Sequence, residues 1–484
     1  MKGAAPRHRL SGIDAAFLYL ERKEIPLHIA GVCVFEGPIP FRKFVANIDS
    51  KLHLIPRYRQ KIVPAPFNIG YPTWENDPAF SIRRHIFRAR VDPPGGEAEL
   101  EALASRILSR LMDRNKPLWD VHVIEGLKDG RGAILARIHH ALADGVSGAS
   151  LMKVMLDTTP EGSPSPRPPR AVPPPPTPPN HSITDALTEA VRSSLESMIA
   201  AECILLDFAE GLGSDRMQTG LQGLIGLLPE LAASAERLPF NKPCTGDRLF
   251  CWTECDLAAV QAIRAALGGT VNDVILTAVT CGVSRYVKLH GESVAGRFVR
   301  MVCPVSVRRD DNGESLGNQI TFLPVALPLD IADPAKMLPA VAARTEIMKS
   351  ARVAHLVALL ASWLGAAPPP LQAAFWWGIP SVPLPAALLN MICTNIPGSA
   401  EPLYAVGRRM IASYPHVPTG YELGVNCAVQ SYAGKLFFGF TADAHVVPDA
   451  GLLRDFVRES IEELRRAAAR HPRKARRQPV SRTA

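Results

Sequence analysis

A proline-rich segment divides this chain of 484 residues into two unequal parts. Residues 158–182 contain eleven prolines, a density that neither a helix nor a hydrogen-bonded strand can accommodate. Such a run favours a stiff, extended and solvated linker, although it could also be a ligand for a proline-recognition domain. We therefore predict an amino-terminal lobe at residues 1–157 and a carboxy-terminal lobe at residues 183–465, followed by a basic, disordered tail at residues 466–484.

Periodic apolar patterns predict strands and helices in both lobes. In the first lobe the predicted strands are residues 29–35, 121–127 and 133–139, and the predicted helices are residues 41–54, 97–112 and 145–156. In the second lobe the predicted strands are residues 250–255, 298–307, 319–327, 425–432 and 435–442, and the predicted helices are residues 183–228, 257–267, 271–290 and 452–469. Because both kinds of element intermix in each lobe, the sequence predicts an α/β or α+β fold with layered sheets.

The net charge of +8 has its source in the carboxyl-terminal end of the chain. Eight lysines and arginines and no acidic residue follow Glu463, so the rest of the chain is nearly neutral. Such a tail can bind anionic lipid headgroups or nucleic acid, or it can be a solvated end without a partner. No helix-turn-helix, zinc-finger or aromatic RNA-binding pattern accompanies it, so we expect no nucleic-acid partner.

A long uncharged stretch lies in the second lobe. Residues 353–400 contain no Asp, Glu, Lys or Arg, and they include Trp363, Trp376 and Trp377. The prolines of this stretch exclude a helix that spans a membrane. One interpretation is a buried core helix followed by an apolar loop. The other is a surface that contacts a membrane or lines a tunnel for an acyl chain, because indole rings favour the boundary between water and lipid.

The strongest chemical signal is the pattern His139-His140-x-x-x-Asp144-Gly145 at the end of a predicted apolar strand. Adjacent side chains of a strand point to opposite faces, so only one histidine faces a given cavity and a bound metal is not expected. A neutral imidazole can remove a proton from an alcohol, and Asp144 can cap the helix that follows. Two histidines at the end of a strand can also be purely structural. The absence of a Gly-x-Ser-x-Gly motif argues against a covalent serine mechanism.

This pattern resembles the active-site motif of the coenzyme A-dependent acyltransferase superfamily, which includes the condensation domains of nonribosomal peptide synthesis. Further blocks follow in order and at matching spacing: Leu10-Ser11-Gly12-Ile13-Asp14, Pro26-Leu27-His28-Ile29, Pro117-Leu118-Trp119, Asn272-Asp273, Pro304-Val305-Ser306-Val307-Arg308 with Gly317-Asn318, and Thr394-Asn395-Ile396-Pro397-Gly398. Together, over residues 8–465, they resemble the bacterial bifunctional wax ester synthase/diacylglycerol acyltransferase family. Two departures are the unusually long proline-rich linker and Thr394, where serine is more common.

The resemblance implies roles for particular residues. His140, the second histidine of the motif, corresponds to the general base, while His139 supports the site and Asp144 orients its loop. Asn272 corresponds to a residue that borders the active site, where its amide N–H could polarise the thioester carbonyl. A helix cap is the alternative role for Asn272. Arg308 could pair with Asp144.

The Pro117-Leu118-Trp119 block has the alternative interpretation of a packed loop anchor. For the whole chain, the resemblance implies two similar lobes of the coenzyme A-dependent acyltransferase type, each a mixed sheet with helices, with a tunnel between them.

We expect a long-chain fatty acyl group to pass from acyl-coenzyme A to the hydroxyl of diacylglycerol, with wax esters from long-chain alcohols as a further product. No metal or cofactor is expected, because acyl-coenzyme A is a co-substrate. The expected location is the cytoplasm, with peripheral association with the inner membrane or lipid droplets. Two alternatives stay open: a related acyltransferase that uses another hydroxyl or amine acceptor, and a non-catalytic lipid-binding protein of lipid droplets.

Overall fold

The computed structural model describes residues 9–65, 70–142, 154–162, 214–232, 236–306, 320–353, 367–378 and 389–470, with single residues at 152, 191–192, 195, 198–199, 202, 206 and 357. Most of the predicted linker, and most of the predicted helices at residues 145–156 and 183–228, lie outside these ranges.

Two mixed sheets form the frame of the described part of the chain. The strands are β1 (His28–Phe35), β2 (Gln60–Val63), β3 (Thr73–Asn76), β4 (Ile86–Arg90), β5 (Trp119–Glu125), β6 (Gly132–His139), β7 (Arg248–Asp256), β8 (Phe298–Ser306), β9 (Ile320–Pro328), β10 (Met391–Ile396), β11 (Tyr404–Ala405), β12 (Arg408–His416), β13 (Val425–Tyr432) and β14 (Lys435–Asp443). The helices are α1 (Gly12–Leu20), α2 (Phe41–Lys51), α3 (Glu97–Leu108), α4 (Asp215–Ala232), α5 (Leu257–Leu267), α6 (Val271–Leu289), α7 (Pro334–Ser350), α8 (Pro369–Gly378) and α9 (Ala450–Arg470). The first sheet has the order β11-β12-β1-β6-β5-β4 and the second β7-β14-β13-β10-β8-β9, while β2 and β3 form a separate ribbon.

Two strands from the carboxy-terminal half complete the first sheet. β12 pairs antiparallel with β1, with Ala30 opposite His416 and Cys33 opposite Ser413, and β11 extends the edge beyond it. The same β12 packs on β13 and β14 of the second sheet. The first sheet therefore contains strands from both sides of the proline-rich segment, so the division between the sheets does not coincide with the predicted lobe boundaries. Those boundaries stay a prediction.

Helix α3 lies along the edge of β7, so it joins the two sheets. Three side chains at successive four-residue intervals accept backbone N–H groups from alternate residues of β7, two from α3 and one from the residue directly after it: Glu101 from Trp252 at 3.1 Å, Ser105 from Phe250 at 2.9 Å and Ser109 from Arg248 at 2.9 Å. The spacing matches because four residues of helix rise about 6 Å and two residues of strand about 6.8 Å. The edge N–H groups are therefore satisfied by side chains rather than by another strand.

The apolar residues of the described chain form two cores. The first core surrounds the first sheet and also takes in Trp252 and Phe437 from the second sheet. The second core surrounds α6, whose residues from Asp273 to Ser284 are all buried. A helix covered on every side needs apolar residues around its whole circumference, which explains the run VILTAV near the start of α6.

The predicted fold class is confirmed, and so are several predicted elements. The hairpins β5–β6 and β13–β14 and the helices α5 and α6 lie within two residues of their predicted bounds. The β13–β14 turn has φ of 44° at Ala433 and 83° at Gly434, as a two-residue hairpin turn requires. The predicted helix at residues 97–112 is too long, because α3 ends at Leu108. Two carbonyls at this end instead accept hydrogen bonds from the Arg137 guanidinium.

The uncharged stretch contributes α8 and β10 to the described structure. β10 is an inner strand of the second sheet. α8 packs on α1 and is a surface helix, with Leu371, Phe375 and Trp377 exposed by 63%, 46% and 69%. The interpretation of this stretch as a buried core helix is therefore wrong for α8. Within the described ranges, no single helix has the length and apolar composition to cross a membrane; α5 and α6 meet that test only as a pair bent by 96°.

Candidate active site

The motif histidines lie at the carboxyl end of β6. This strand is an inner strand of the first sheet, between β1 and β5, and all eight of its residues are buried. Its sequence, GAILARIH, is the nearly unbroken apolar run that a strand covered on both faces requires. The motif therefore begins on a buried strand that is hydrogen-bonded to a neighbour on each side.

Two neighbouring segments fix the backbone of the motif. The N–H of His139 donates to the carbonyl of Leu118 at 3.0 Å, and the N–H of His140 donates to the carbonyl of Leu27 at 2.9 Å. Leu118 and Trp119 are each 1% exposed. The block that contains them is thus a packed anchor, and it holds the first histidine in place through its backbone.

The ring of His139 is fully buried and occupied by protein groups. Its Nδ1 accepts the N–H of Ala141 at 3.0 Å, so the proton of a neutral ring lies on Nε2. Nε2 lies 3.3 Å from Oε1 of Glu21, which is long for a hydrogen bond and not well aligned. Because both nitrogens face protein partners, His139 is not placed to take a proton from a substrate.

Glu21, directly after α1, connects several parts of the site. Its Oε1 accepts the N–H of Leu27 at 3.1 Å, and its Oε2 accepts the guanidinium of Arg114 at 2.9 Å. Burial raises the pKa of Glu21, but the neighbouring His139, the Leu27 N–H and the Arg114 guanidinium outweigh burial and lower the pKa to about 2. Glu21 is therefore a buried carboxylate at neutral pH. No sequence pattern pointed to this residue.

His140 differs from its neighbour because its ring is half-buried and stacks on Phe17. The ring centroids are 3.7 Å apart and the planes differ by 16°. Nδ1 is buried and has no hydrogen-bond partner among the described residues. Burial, with a smaller contribution from the neighbouring His139, lowers the pKa of His140 to about 4. The ring is therefore neutral at pH 7 and able to accept a proton.

Of the other predicted site residues, the structure describes Asn272 but not Asp144 or Arg308. The predicted pairing of Asp144 with Arg308 therefore lies outside the described ranges as well. Asn272 occupies the first turn of α6 and is half-buried. The cap of α6 is Thr270, whose hydroxyl accepts the N–H of Asp273 while the Asp273 carboxylate accepts the N–H of Thr270. The alternative role of Asn272 as the helix cap is therefore wrong.

A buried polar layer, which the sequence analysis did not predict, lies beside the motif. Arg137 forms a bidentate pair with Asp120, at 2.9 and 2.6 Å. His28, which lies opposite His139 in the β1–β6 register, stacks on His416 with ring centroids 5.6 Å apart. Burial lowers the pKa of both rings, that of His416 to about 3. In the described ranges, no group of three His, Cys, Asp or Glu side chains is arranged to hold a metal ion.

Comparison with protein families matches two models to this chain. The wax ester synthase/diacylglycerol acyltransferase catalytic domain matches residues 10–275, which include both motif histidines and Asn272. The C-terminal domain of the same family matches residues 316–465.

Individual proteins agree with these matches. A Mycobacterium tuberculosis protein named "Probable diacylglycerol O-acyltransferase" is 29% identical over 472 residues, which are 94% of this chain and 96% of that protein. The solved wax ester synthase/diacylglycerol acyltransferase from Marinobacter aquaeolei VT8 has a TM-score of 0.66 at 21% identity, over 95% of this chain and 100% of that chain. The first condensation domain of the calcium-dependent antibiotic synthetase has a TM-score of 0.59 at 13% identity, over 97% and 98%. The structural likeness shows that the chains share the two-lobed fold.

Proposed function

The chain belongs to the wax ester synthase/diacylglycerol acyltransferase family, and on this premise we propose that it transfers a long-chain fatty acyl group from acyl-coenzyme A to the hydroxyl of diacylglycerol. Long-chain alcohols would give wax esters as a further product. The observation that carries this proposal is the difference between the two histidines. His139 is fully buried, with Nδ1 hydrogen-bonded and Nε2 facing Glu21, whereas His140 is neutral and held at the end of an inner strand.

In the proposed reaction His140 is the general base. It removes the hydroxyl proton while the alcohol oxygen attacks the carbonyl carbon of the thioester. The carbon–sulfur bond of the tetrahedral species then breaks, and the proton passes from His140 to the sulfur of coenzyme A. Base catalysis of this kind contributes roughly 10²–10⁴-fold to the rate. The low pKa makes His140 a weak base, but it keeps the ring uncharged before the alcohol arrives.

Asn272 is the proposed donor to the negative oxygen of the tetrahedral species. It lies in the first turn of α6, at the positive end of the helix dipole. The amide of Asn272 is free of the cap formed by Thr270 and Asp273, so it can turn toward a ligand. A tunnel between the lobes would bring the two substrates together and exclude water, which would otherwise hydrolyse the thioester.

The test is an assay with radiolabelled palmitoyl-coenzyme A and the full chain, with dioleoylglycerol or hexadecanol as acceptor. We expect labelled triacylglycerol, and a fall of about 10²–10⁴-fold in His140→Ala. His445→Ala is the matched control, because this histidine is 63% exposed.

Other products would identify the alternatives. Amide formed from hexadecylamine, without ester, would indicate an amine acceptor. Binding of labelled lipid without any turnover would indicate a lipid-binding protein, and equal activity of His140→Ala and the wild type would exclude His140 as the base.

We also propose that the enzyme works in the cytoplasm at the surface of the inner membrane or a lipid droplet, where its acceptor and product are dissolved. Support comes from α8, which exposes three large apolar side chains within a stretch free of formal charge. The guanidinium of Arg22 lies 5.5 Å from the ring centroid of Trp377, so a cation accompanies this apolar surface, as an anionic lipid surface would favour.

Flotation with vesicles of phosphatidylcholine and phosphatidylglycerol tests this location. We expect the wild type to float with the vesicles at low salt. The combined change Leu371→Ser, Phe375→Ser and Trp377→Ser should leave most of the protein unbound. Leu54→Ser with Leu289→Ser is the control, because both leucines are at least half exposed but lie elsewhere. Equal flotation of all three proteins would contradict a role for α8.

A further inference from the structure

Both motif histidines are contacted by side chains at the end of α1, one from the helix and one from the residue directly after it. Phe17 stacks on the ring of His140, and Glu21 lies 3.3 Å from Nε2 of His139. Residues four apart lie on the same side of a helical turn, so this pair presents one continuous face to the motif. The N–H of Glu21 still donates to the carbonyl of Phe17, which keeps the two positions in helical relation.

Three groups converge on the Glu21 carboxylate. Leu27 donates its backbone N–H and Arg114 its guanidinium, while Nε2 of His139 lies 3.3 Å from Oε1 without a well-aligned hydrogen bond. The carbonyl of Leu27 in turn accepts the N–H of His140. One carboxylate therefore holds the ring of the first histidine directly and the backbone of the second through a single intervening residue.

We propose that Glu21 is a positioning residue for acyl transfer, which fixes the ring of His139 and, through Leu27, the placement of His140. This inference rests on the proposed function of His140 as the base. Glu21 does not touch the reacting atoms. It acts by removing alternative orientations of the two histidines, and a displacement of about 1 Å at a reacting group can cost about 10²-fold in rate.

The substitution Glu21→Gln separates positioning from simple occupation of space. Glutamine has the same size but only one acceptor oxygen, and its NH₂ group would meet a donor. It therefore cannot satisfy Arg114 together with both Leu27 and His139. We expect kcat to fall about 10²-fold with little change in the KM for palmitoyl-coenzyme A. The matched control is Glu24→Gln, an exposed glutamate three residues further on, which should keep the wild-type kcat.

Nitrogen NMR of protein labelled with ¹⁵N-histidine gives a readout that does not depend on turnover. His139→Gln assigns the signal of His139. In the wild type we expect the proton on Nε2 and an unprotonated Nδ1, and in Glu21→Gln a ring that exchanges between the two forms. A merely structural glutamate would lower the melting temperature but leave the ring signal unchanged.

Two results would overturn the inference. One is a folded Glu21→Gln protein with wild-type kcat and an unchanged His139 signal. The other, which needs no variant at residue 21, is a wild-type His139 that carries its proton on Nδ1, because Nε2 could then not donate to Glu21. Failure of the proposed function would look different, since wild-type protein would form no ester while the NMR result stood.

Discussion

The two adjacent histidines of the motif differ in the number of nitrogens that protein groups occupy. For His139, a backbone N–H and a carboxylate occupy both sides of the ring. For His140, the ring face is covered by Phe17 and Nδ1 is buried without a partner among the described residues. Burial without a compensating acceptor disfavours the charged ring, so His140 stays neutral well below the pH at which an exposed histidine becomes charged.

The pH dependence of the reaction should show this depressed pKa. We expect kcat/KM for acyl transfer to be nearly constant from pH 7 to about 5 and to fall as the pH falls through about 4, where His140 becomes protonated. A histidine with an ordinary pKa would instead lose half of its activity near pH 6.5. Initial rates, corrected for the folded fraction by circular dichroism at each pH, measure this. An acid limb centred near pH 6.5 would contradict the depressed pKa.

At the scale of elements, α3 and β7 hold the two sheets together by matched spacing. Ser105 is buried, and its hydroxyl is the acceptor for the N–H of Phe250. Ser109 makes the same contact with Arg248 from a less buried position. The contacts alternate along both elements, so each one covers a different N–H group of the β7 edge.

Ser105→Ala should leave the Phe250 N–H buried and unpaired, and it should lower the free energy of unfolding by about 1–3 kcal/mol. Ser109→Ala is the matched comparison and should cost less, because water can replace the lost hydroxyl there. Urea denaturation of the two variants and the wild type measures both effects. Equal losses would mean that burial does not set the cost of the unpaired N–H.

Elements with local signals could be predicted from the sequence, and those with distant partners could not. α5 and the β13–β14 hairpin carry their own periodicity and turn residues. β12 was not predicted, because RRMIASYPH mixes charged and polar residues with a proline, and only its pairing with the distant β1 makes it a strand. Glu21 was missed for the same reason, because two of its three partners, Arg114 and His139, are far from it along the chain.

At the scale of the whole molecule, acid stability depends on histidines that fold as neutral rings. His28, His85 and His416 are buried, and burial lowers the pKa of each below its ordinary value. In the unfolded chain these rings take up protons near pH 6.5, whereas the folded protein does not. Stability should therefore fall as the pH drops below 6.5. Glu101 acts in the opposite direction between about pH 7 and 4.5, because burial raises its pKa to about 7.

With His140, whose pKa is also lowered, four histidines outnumber this one glutamate, so we expect the free energy of unfolding to fall from pH 7 to pH 5. Each buried histidine contributes at most about 1.4 kcal/mol for each pH unit. His416→Phe keeps an aromatic ring in the same packing. It should remove the contribution of one histidine, so the free energy of unfolding should depend less steeply on pH than in the wild type. Urea midpoints at several pH values measure this. A stability that stays level or rises toward pH 5 would contradict the neutral state of these rings.

The pairing of β1 with β12 also affects how the protein is made. On the ribosome, β1 leaves the exit tunnel long before residues 408–416 have been synthesised. Until then, the edge of β1 that later pairs with β12 has no partner strand. A shortened gene product that stops before residue 408 would keep the histidine motif but retain this open edge, and we expect it to aggregate during expression rather than yield a working half-enzyme.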